Sequence, residues 1–309
     1  QVSAFSGYGF NQGHATAYAD VSYRSTYLKV HYPAAFFWAR LRNYGGYHHP
    51  AVYMAEATRL GIEVRIPHIN HSVANVRLMQ PPTTASTVLP KPRQGDAPTT
   101  RDPTDDAQTS VLWLGLGLVR DLRRQAVTSI IKARHRDGPF ASLRDLLVRV
   151  DLQPKEITHL IQCGALDGLE PSAQPGDGIF DGLVGRANRP AMLAEAQNVL
   201  KAGSARQLAF DFAAGYAPAA SLSQHLHWER HLLGYPLDAL QRIMSALATR
   251  DRNSIPVAHL PDTRGTVSVF GVRLPGWHRD GYALWDGGGW CWTELPKTMK
   301  APPTWQPAR

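Results

Sequence analysis

Cysteine is nearly absent: Cys163 and Cys291 are the only two in 309 residues. Two thiols are too few for a disulfide framework or a cysteine zinc site, and a reducing compartment suits them. Long apolar runs are missing too. None approaches the roughly 20 residues of a spanning helix, so no membrane partner is expected. No signal peptide is visible. The first residue is Gln1 rather than Met, and the opening reads as the middle of a domain. The expectation is a fragment or the second half of a split gene. Negative charge is in deficit, with 25 Asp+Glu against 33 Lys+Arg and a net charge of +8. A polyanion is the natural partner, nucleic acid before anionic membrane.

The chain opens on Tyr8-Gly9-Phe10-Asn11-Gln12-Gly13-His14 and runs to Tyr32-Pro33. The spacing predicts a Gly-aromatic loop, a helix ended by Pro33, and a second helix started by it. Tyr8, Asn11 and His14 stand where a helix N-terminus leaves N–H groups free, a place suited to a triphosphate. A capped core helix accounts for the same residues, and both readings stand on the residues alone. Pro50 starts a third helix, Gly61 closes it, and Ile62–Ile66 alternates as a short strand.

His48, His49, His68 and His71 raise the question of a metal. His68-x-x-His71 falls on a post-strand loop with no carboxylate or thiol at ligand spacing. The preferred reading is solvated or nucleic-acid-facing histidines, with no metal site. Residues 80–110, rich in Pro, Thr and Asp, read as a disordered linker. Asp102, Asp105 and Asp106 read there as a solvated turn rather than a catalytic cluster.

Order returns at Val111–Val119. Two helix–turn–helix units follow, ending at Gly164-Ala165-Leu166-Asp167. The arginines and lysines of this region, Lys132, Arg134, Arg136, Arg144 and Arg149 among them, each read as solvated helix residues. A helix from Pro190 to Lys201 leads to Arg206–Phe212. Residues 228–236, Trp-Glu-Arg-His-Leu-Leu-Gly-Tyr-Pro, make a helix end. After Pro256 come strand patterns at Thr266–Leu274, Tyr282–Trp285 and Trp290–Thr293, the last two joined by an Asp286–Gly289 turn. About three strands are countable. Trp277, Trp285, Trp290 and Trp292 read as core of a small sheet in preference to a base-stacking platform.

Several of these runs resemble one family. YGFNQGHATAYADVSYRSTYLKVHYPAAFFWARL is similar to the end of the fingers domain in DnaE-type alpha subunits of bacterial DNA polymerase III. AEATRLGIEVRIPHINHS, the Leu160–Asp167 ending and the Trp228–Pro236 helix end resemble later parts of the same subunit. The resemblance implies a mainly α, multidomain chain with a small C-terminal β domain like an OB-fold. Its parts would be fingers (1–79), the linker (80–110), a tandem helix-hairpin-helix region (111–170), a helical connector (171–254) and a partial OB-fold (255–309).

The resemblance also implies roles. Tyr8, Asn11 and His14 would contact the incoming dNTP, though Gln12-Gly13 replaces the family's frequent Lys-Ser. Arg120, Arg123, Arg124, Lys132 and Gly164 would hold DNA. Gln207, Leu208, Phe210 and Phe212 resemble a sliding-clamp peptide, with a shifted spacing. In the first hairpin Asp121-Leu122-Arg123 stands where the family has Gly-Val-Gly. The glycines serve a positive φ and a close approach to phosphate, and Asp121 would repel that phosphate. Template-directed nucleotidyl transfer would belong to the parent polymerase, whose palm carboxylates hold Mg²⁺. No Asp-x-Asp pair occurs here, so this segment is expected to carry no catalytic residue, no cofactor and no activity alone. Its partners would be primer-template and single-stranded DNA, dNTP, the clamp and the N-terminal palm and PHP part, in the bacterial cytoplasm at the nucleoid. A stand-alone DNA-binding accessory protein, a decayed structural remnant and the error-prone alpha paralogue are the alternatives.

Overall fold

The computed structural model describes residues 12–43, 45–79, 110–169, 188–201, 218–248, 254–276, 281–296, 298–305 and 307–308. The linker residues 80–109, Asp102, Asp105, Asp106 and Trp277 lie outside them. Helix α1 (Gln12–His31) buries none of its side chains. Pro33 is the first residue of α2 (Pro33–Arg42), which buries Ala34, Phe37 and Leu41. Helix α3 (Pro50–Arg59) starts the same way, and His49 Nδ1 accepts the Ala51 N–H at 3.2 Å to cap it. Proline suits both starts because its missing N–H would have no intrahelical acceptor there.

Beyond Gly61 (φ +84°) the chain enters β1 (Glu63–Arg65), and it returns through β2 (Arg77–Met79) and β3 (Val111–Trp113). The last strand takes the centre: the order is β1-β3-β2, parallel to β1 and antiparallel to β2. Helices α4 (Arg124–Asp137), α5 (Leu143–Arg149) and α6 (Pro154–Gln162) form the two expected units. Helices α7 (Arg189–Lys201), α8 (Leu222–Leu233) and α9 (Leu237–Ala248) follow. The architecture is mainly α with a small C-terminal sheet, as the resemblance implied.

That sheet is antiparallel, made of β4 (Gly271–Arg273), β5 (Gly281–Trp285), β6 (Trp290–Glu294) and β7 (Pro307–Ala308), in the order β6-β5-β4-β7. The Asp286 turn forms as expected, its Oδ1 accepting the N–H groups of Gly288 and Gly289 at 2.9 and 2.7 Å. Two points differ from the sequence pattern. Only Gly271–Arg273 of the Thr266–Leu274 run is a strand, because β5 and β7 offer partners to that part alone. The fourth strand, β7, begins with a proline, which an edge strand tolerates. Trp285 is core at 3 % exposed, while Trp292 is 42 % exposed.

Three charged or polar groups read as solvated are internal instead. Arg134 is buried and donates through Nη1 to the carbonyls of Ile69 (2.5 Å) and Ser72 (2.9 Å). Arg149 donates through Nη2 to the carbonyls of Ala133 (2.8 Å) and Gly138 (2.7 Å), closing the α4–α5 turn. His68 Nδ1 accepts the Asn70 N–H at 3.1 Å, so Nε2 carries the proton and donates to the Asp167 carbonyl at 2.9 Å. Burial pushes its pKa down to about 4, with His71, Arg134 and Arg65 adding to that, so the ring is neutral. Neighbouring residues of the same loop are stitched in too. Asn70 exchanges two hydrogen bonds of 2.8 Å with the Phe140 backbone, and Ser72 Oγ donates to the Leu114 carbonyl at 2.6 Å. Through His68, Asn70 and Ser72 the loop is a seam to the hairpin region, because these polar groups find backbone partners there, while His71 stays exposed.

Glu56 makes a second long-range tie. Its carboxylate takes Lys29 Nζ from α1 at 2.6 Å, Arg59 Nε at 2.7 Å and Trp290 Nε1 from β6 at 2.9 Å. Burial works against its charge, but these donors hold its pKa down at about 2.

Candidate nucleic-acid interface

The loop entering α4 is shaped by glycine only at its start. A Cβ on Gly115 would collide with the Ala74 carbonyl oxygen, and one on Gly117 would stand 2.7 Å from the same atom. Their neighbours are pinned there, with Leu116 N–H to the Val73 carbonyl at 2.8 Å and Gly117 N–H to Ala74 at 2.9 Å. Asp121 then takes φ +59°. The turn's demand for a left-handed residue survives, and aspartate, among the few side chains that visit that region readily, meets it. The Asp121 carboxylate is not a bare negative charge: Lys155 Nζ lies 2.9 Å from Oδ2, and that hydrogen bond leads the causes lowering its pKa.

Arg123, expected to hold DNA, is committed elsewhere. Its Nε and Nη2 reach the two oxygens of Glu156 at 2.8 and 2.9 Å, and its backbone N–H donates to the same carboxylate at 3.1 Å. Glu156 is 1 % exposed and also accepts the Gln153 N–H at 2.8 Å, completing the capping box of α6. Its pKa is lowered, the Arg123 bond first among the causes. One carboxylate thus fixes the first hairpin against the start of the second unit.

Gly164 does not face outward either. It is buried at φ +84° beyond α6, and a Cβ would collide with Arg189 Nη2 and stand 2.7 Å from Ile66 Cδ1. Its N–H is bonded to the Ile161 carbonyl at 3.0 Å, so it has no donor left for a phosphate.

Arg120, Arg124 and Lys132 are exposed. Arg124, Thr128 and Lys132 are spaced by four along α4, which places them on adjacent turns of one outward face, about 12 Å from end to end. At the head of that row the first turn of α4 has no acidic residue and no side-chain cap from Arg123. Arginine there opposes the helix dipole, an arrangement an anion would offset. Arg120 is held by its backbone: its N–H donates to the Leu232 carbonyl at 2.9 Å and its carbonyl accepts from His159 Nδ1 at 2.7 Å. Its Nη1 lies 3.4 Å from His231 Nδ1 on α8. Lys155, His159 and His231 thus join the surface. Sequence reasoning missed them because no local spacing ties them to the hairpin.

Of the three residues expected to contact a nucleotide the structure describes only His14, exposed on α1 with its ring centroid 4.4 Å from that of Tyr18. Tyr8 and Asn11 lie outside the described residues, as do Gln207, Leu208, Phe210 and Phe212 of the clamp-like peptide. Among the described residues no group of three or more His, Cys, Asp or Glu could hold a metal ion. No described helix is long and apolar enough to cross a membrane.

The Asp121 geometry makes a prediction. Asp121→Gly frees a positive-φ residue of its side chain and removes a charge beside the row. Duplex affinity by fluorescence anisotropy should rise several-fold at low salt, with the gain fading as salt is added. The melting temperature should stay near the parent's.

Residues 61–174 match the helix-hairpin-helix motif family. An error-prone DNA polymerase of Methylococcus capsulatus is 32 % identical over 231 residues, 73 % of this chain and 21 % of the relative. A DNA polymerase III subunit alpha of Saccharopolyspora erythraea is 29 % identical over 269 residues, 79 % of this chain and 19 % of the relative. An error-prone DNA polymerase of Anaeromyxobacter sp. strain K is 32 % identical over 220 residues, 69 % of this chain and 18 % of the relative. The chain thus spans about a fifth of the length of the curated relatives it matches. Over most of its length the chain is similar to DNA polymerase III alpha subunits and error-prone DNA polymerases, and within that stretch residues 61–174 match the helix-hairpin-helix motif family.

Proposed function

We propose that this chain is the DNA-gripping, C-terminal portion of a DnaE-type DNA polymerase. The observation that carries the reading is the exposed row that runs from Arg124 at the start of α4 to Lys132, with Arg120 exposed in the loop before it, within the matched helix-hairpin-helix region. Such a row binds the phosphate backbone without reading sequence. In the whole polymerase, template-directed nucleotidyl transfer would run on metal-bound palm carboxylates outside this chain, with Mg²⁺ supplied there. The Tyr8–His14 loop would touch the incoming dNTP, and Gln207, Leu208, Phe210 and Phe212 would engage a sliding clamp. The setting would be the bacterial cytoplasm at the nucleoid. By itself the chain would bind primer-template and not extend it.

Fluorescence anisotropy of a labelled primer-template over a salt series tests the grip. Affinity should fall linearly in log–log form with salt. Arg124→Glu and Lys132→Glu should each weaken binding and reduce the magnitude of the slope by about 1. A folded chain that binds no DNA at low salt overturns the reading.

A further inference from the structure

A second cationic surface gathers on Trp113, at the end of β3, beside the loop that is joined to α4 by Arg134. The His71 ring stacks on Trp113 with centroids 4.6 Å apart and planes at 21°, and Arg65 Cζ sits 5.1 Å from the centre of the same indole. Trp113 itself is 7 % exposed, whereas His71 and Arg65 are exposed. Arg77 Nη1 donates to the His71 carbonyl at 3.0 Å, and Arg134 spans the neighbouring carbonyls of Ile69 and Ser72.

The charge here is unbalanced. Arg65 has Glu63 beside it. Among the described residues neither Arg77 nor Arg134 has a carboxylate within ion-pair distance. Burial, then Arg65, Arg134 and Arg77, lower the His71 pKa, so the exposed ring is a neutral flat face bordered by cations. The pKa of Arg134 is lowered as well, by burial and by Arg77. An exposed ring packed on Trp113, with the His68 ring tilted at 4.9 Å beside it and the Arg77 guanidinium joined to its own carbonyl, has the two elements that hold a nucleotide of an unpaired strand. Duplex bases are already stacked on one another and have no face to offer it.

We propose that His71, Arg77 and Arg134 form a site for one unpaired nucleotide of single-stranded nucleic acid. The base stacks on the outer face of His71, Arg77 takes the adjoining phosphate, and Arg134 fixes the loop and adds to the positive field. The site rests on the DNA-binding reading above but is distinct from the Arg124 end of the hairpin: Arg134 is ten residues along α4 from Arg124, about 15 Å down the axis. A strand leaving the hairpin's duplex can span that distance in about five nucleotides.

The test uses the full chain and labelled oligothymidine, alongside a duplex of equal length. His71→Ala should weaken oligothymidine binding about tenfold and leave duplex binding unchanged, while His71→Tyr retains the affinity. Arg77→Glu should weaken the single strand and lower its salt slope by about 1. In the parent chain, an oligomer of equal charge with abasic positions should bind about tenfold less tightly than oligothymidine, a comparison that needs no variant to fold. Equal affinity for the intact and abasic oligomers overturns the proposal. So does parent-like single-strand binding by folded His71→Ala and Arg77→Glu. If Arg124→Glu weakens duplex binding while the His71 and Arg77 variants change nothing, this site alone is lost. If the parent binds no DNA at low salt, both readings fall.

Discussion

Arg189→Met should lower stability by about 3–5 kcal/mol at pH 8, the usual cost of removing one partner from a buried ion pair. Arg189 is 1 % exposed and holds Asp167 through Nε and Nη2 at 3.0 and 2.6 Å. Its Nη1 donates to the Gln162 carbonyl at 3.0 Å and lies 3.7 Å from Glu229 Oε1. Glu229 is fully buried; Oε2 accepts the Ala239 N–H at 3.0 Å, and Oε1 has no hydrogen-bond partner among the described residues. Burial, and after it Asp238, push the Glu229 pKa up to about 7 against the pull of Arg189.

The sign of the pH effect follows. Between about 4.5 and about 7 the folded state binds a proton that the unfolded state has lost, so stability falls as pH rises through that window. The size is about 3 kcal/mol for a shift of this order. Without Arg189 the carboxyl is still harder to ionise, so the variant should lose more at pH 8 than at pH 5. Glu229→Gln keeps an acceptor for Ala239 and removes the charge, so it should flatten the profile, and adding it to Arg189→Met should restore part of the loss. Urea denaturation of the four proteins at both pH values checks this. A loss under about 1 kcal/mol, equal at both, would refute the account.

Glu156→Ala should be the next most damaging change, at about 2–4 kcal/mol. It strips the acceptor from the Gln153 and Arg123 N–H groups and from the Arg123 guanidinium together. Its consequence is functional as well. The hairpin that presents Arg120 and Arg124 is positioned by this carboxylate, so duplex affinity should fall along with the midpoint of unfolding. Glu156→Gln keeps one acceptor oxygen but turns an NH2 toward the remaining donors, so it should recover only part of the binding. A Glu156→Ala chain with parent affinity would show that the hairpin holds its shape without the α6 tie.

The helix starts at Pro33 and Pro50, the stop at Gly61 and the Asp286 turn were legible because each rests on neighbouring backbone chemistry. The fate of the cations was not. Arg123 and Arg134 look alike in the chain, yet one meets a carboxylate 33 positions away and the other two carbonyls 62 and 65 positions away. For Arg134 a signal existed: Val127, Ile130 and Arg134 follow a helical spacing, which puts the arginine on the buried stripe. Asp121 was read through its charge, while its backbone angle explains why that residue type stands there. The site row was half visible, since Arg120, Arg124 and Lys132 are outward. Gly164 was misplaced because a glycine suited to phosphate approach and one facing a buried arginine have the same letter.

The β2–β3 pairing has a consequence for how the chain tolerates enlargement. Met79 and Val111 are directly opposite one another, so the polypeptide leaves the sheet and re-enters it at one point. Closing such a loop costs only about 0.6 kcal/mol more for each doubling of its length. The connection ahead of Ser110, whose carbonyl accepts the Glu63 N–H at 3.3 Å, is therefore a socket where a whole extra module can be spliced in.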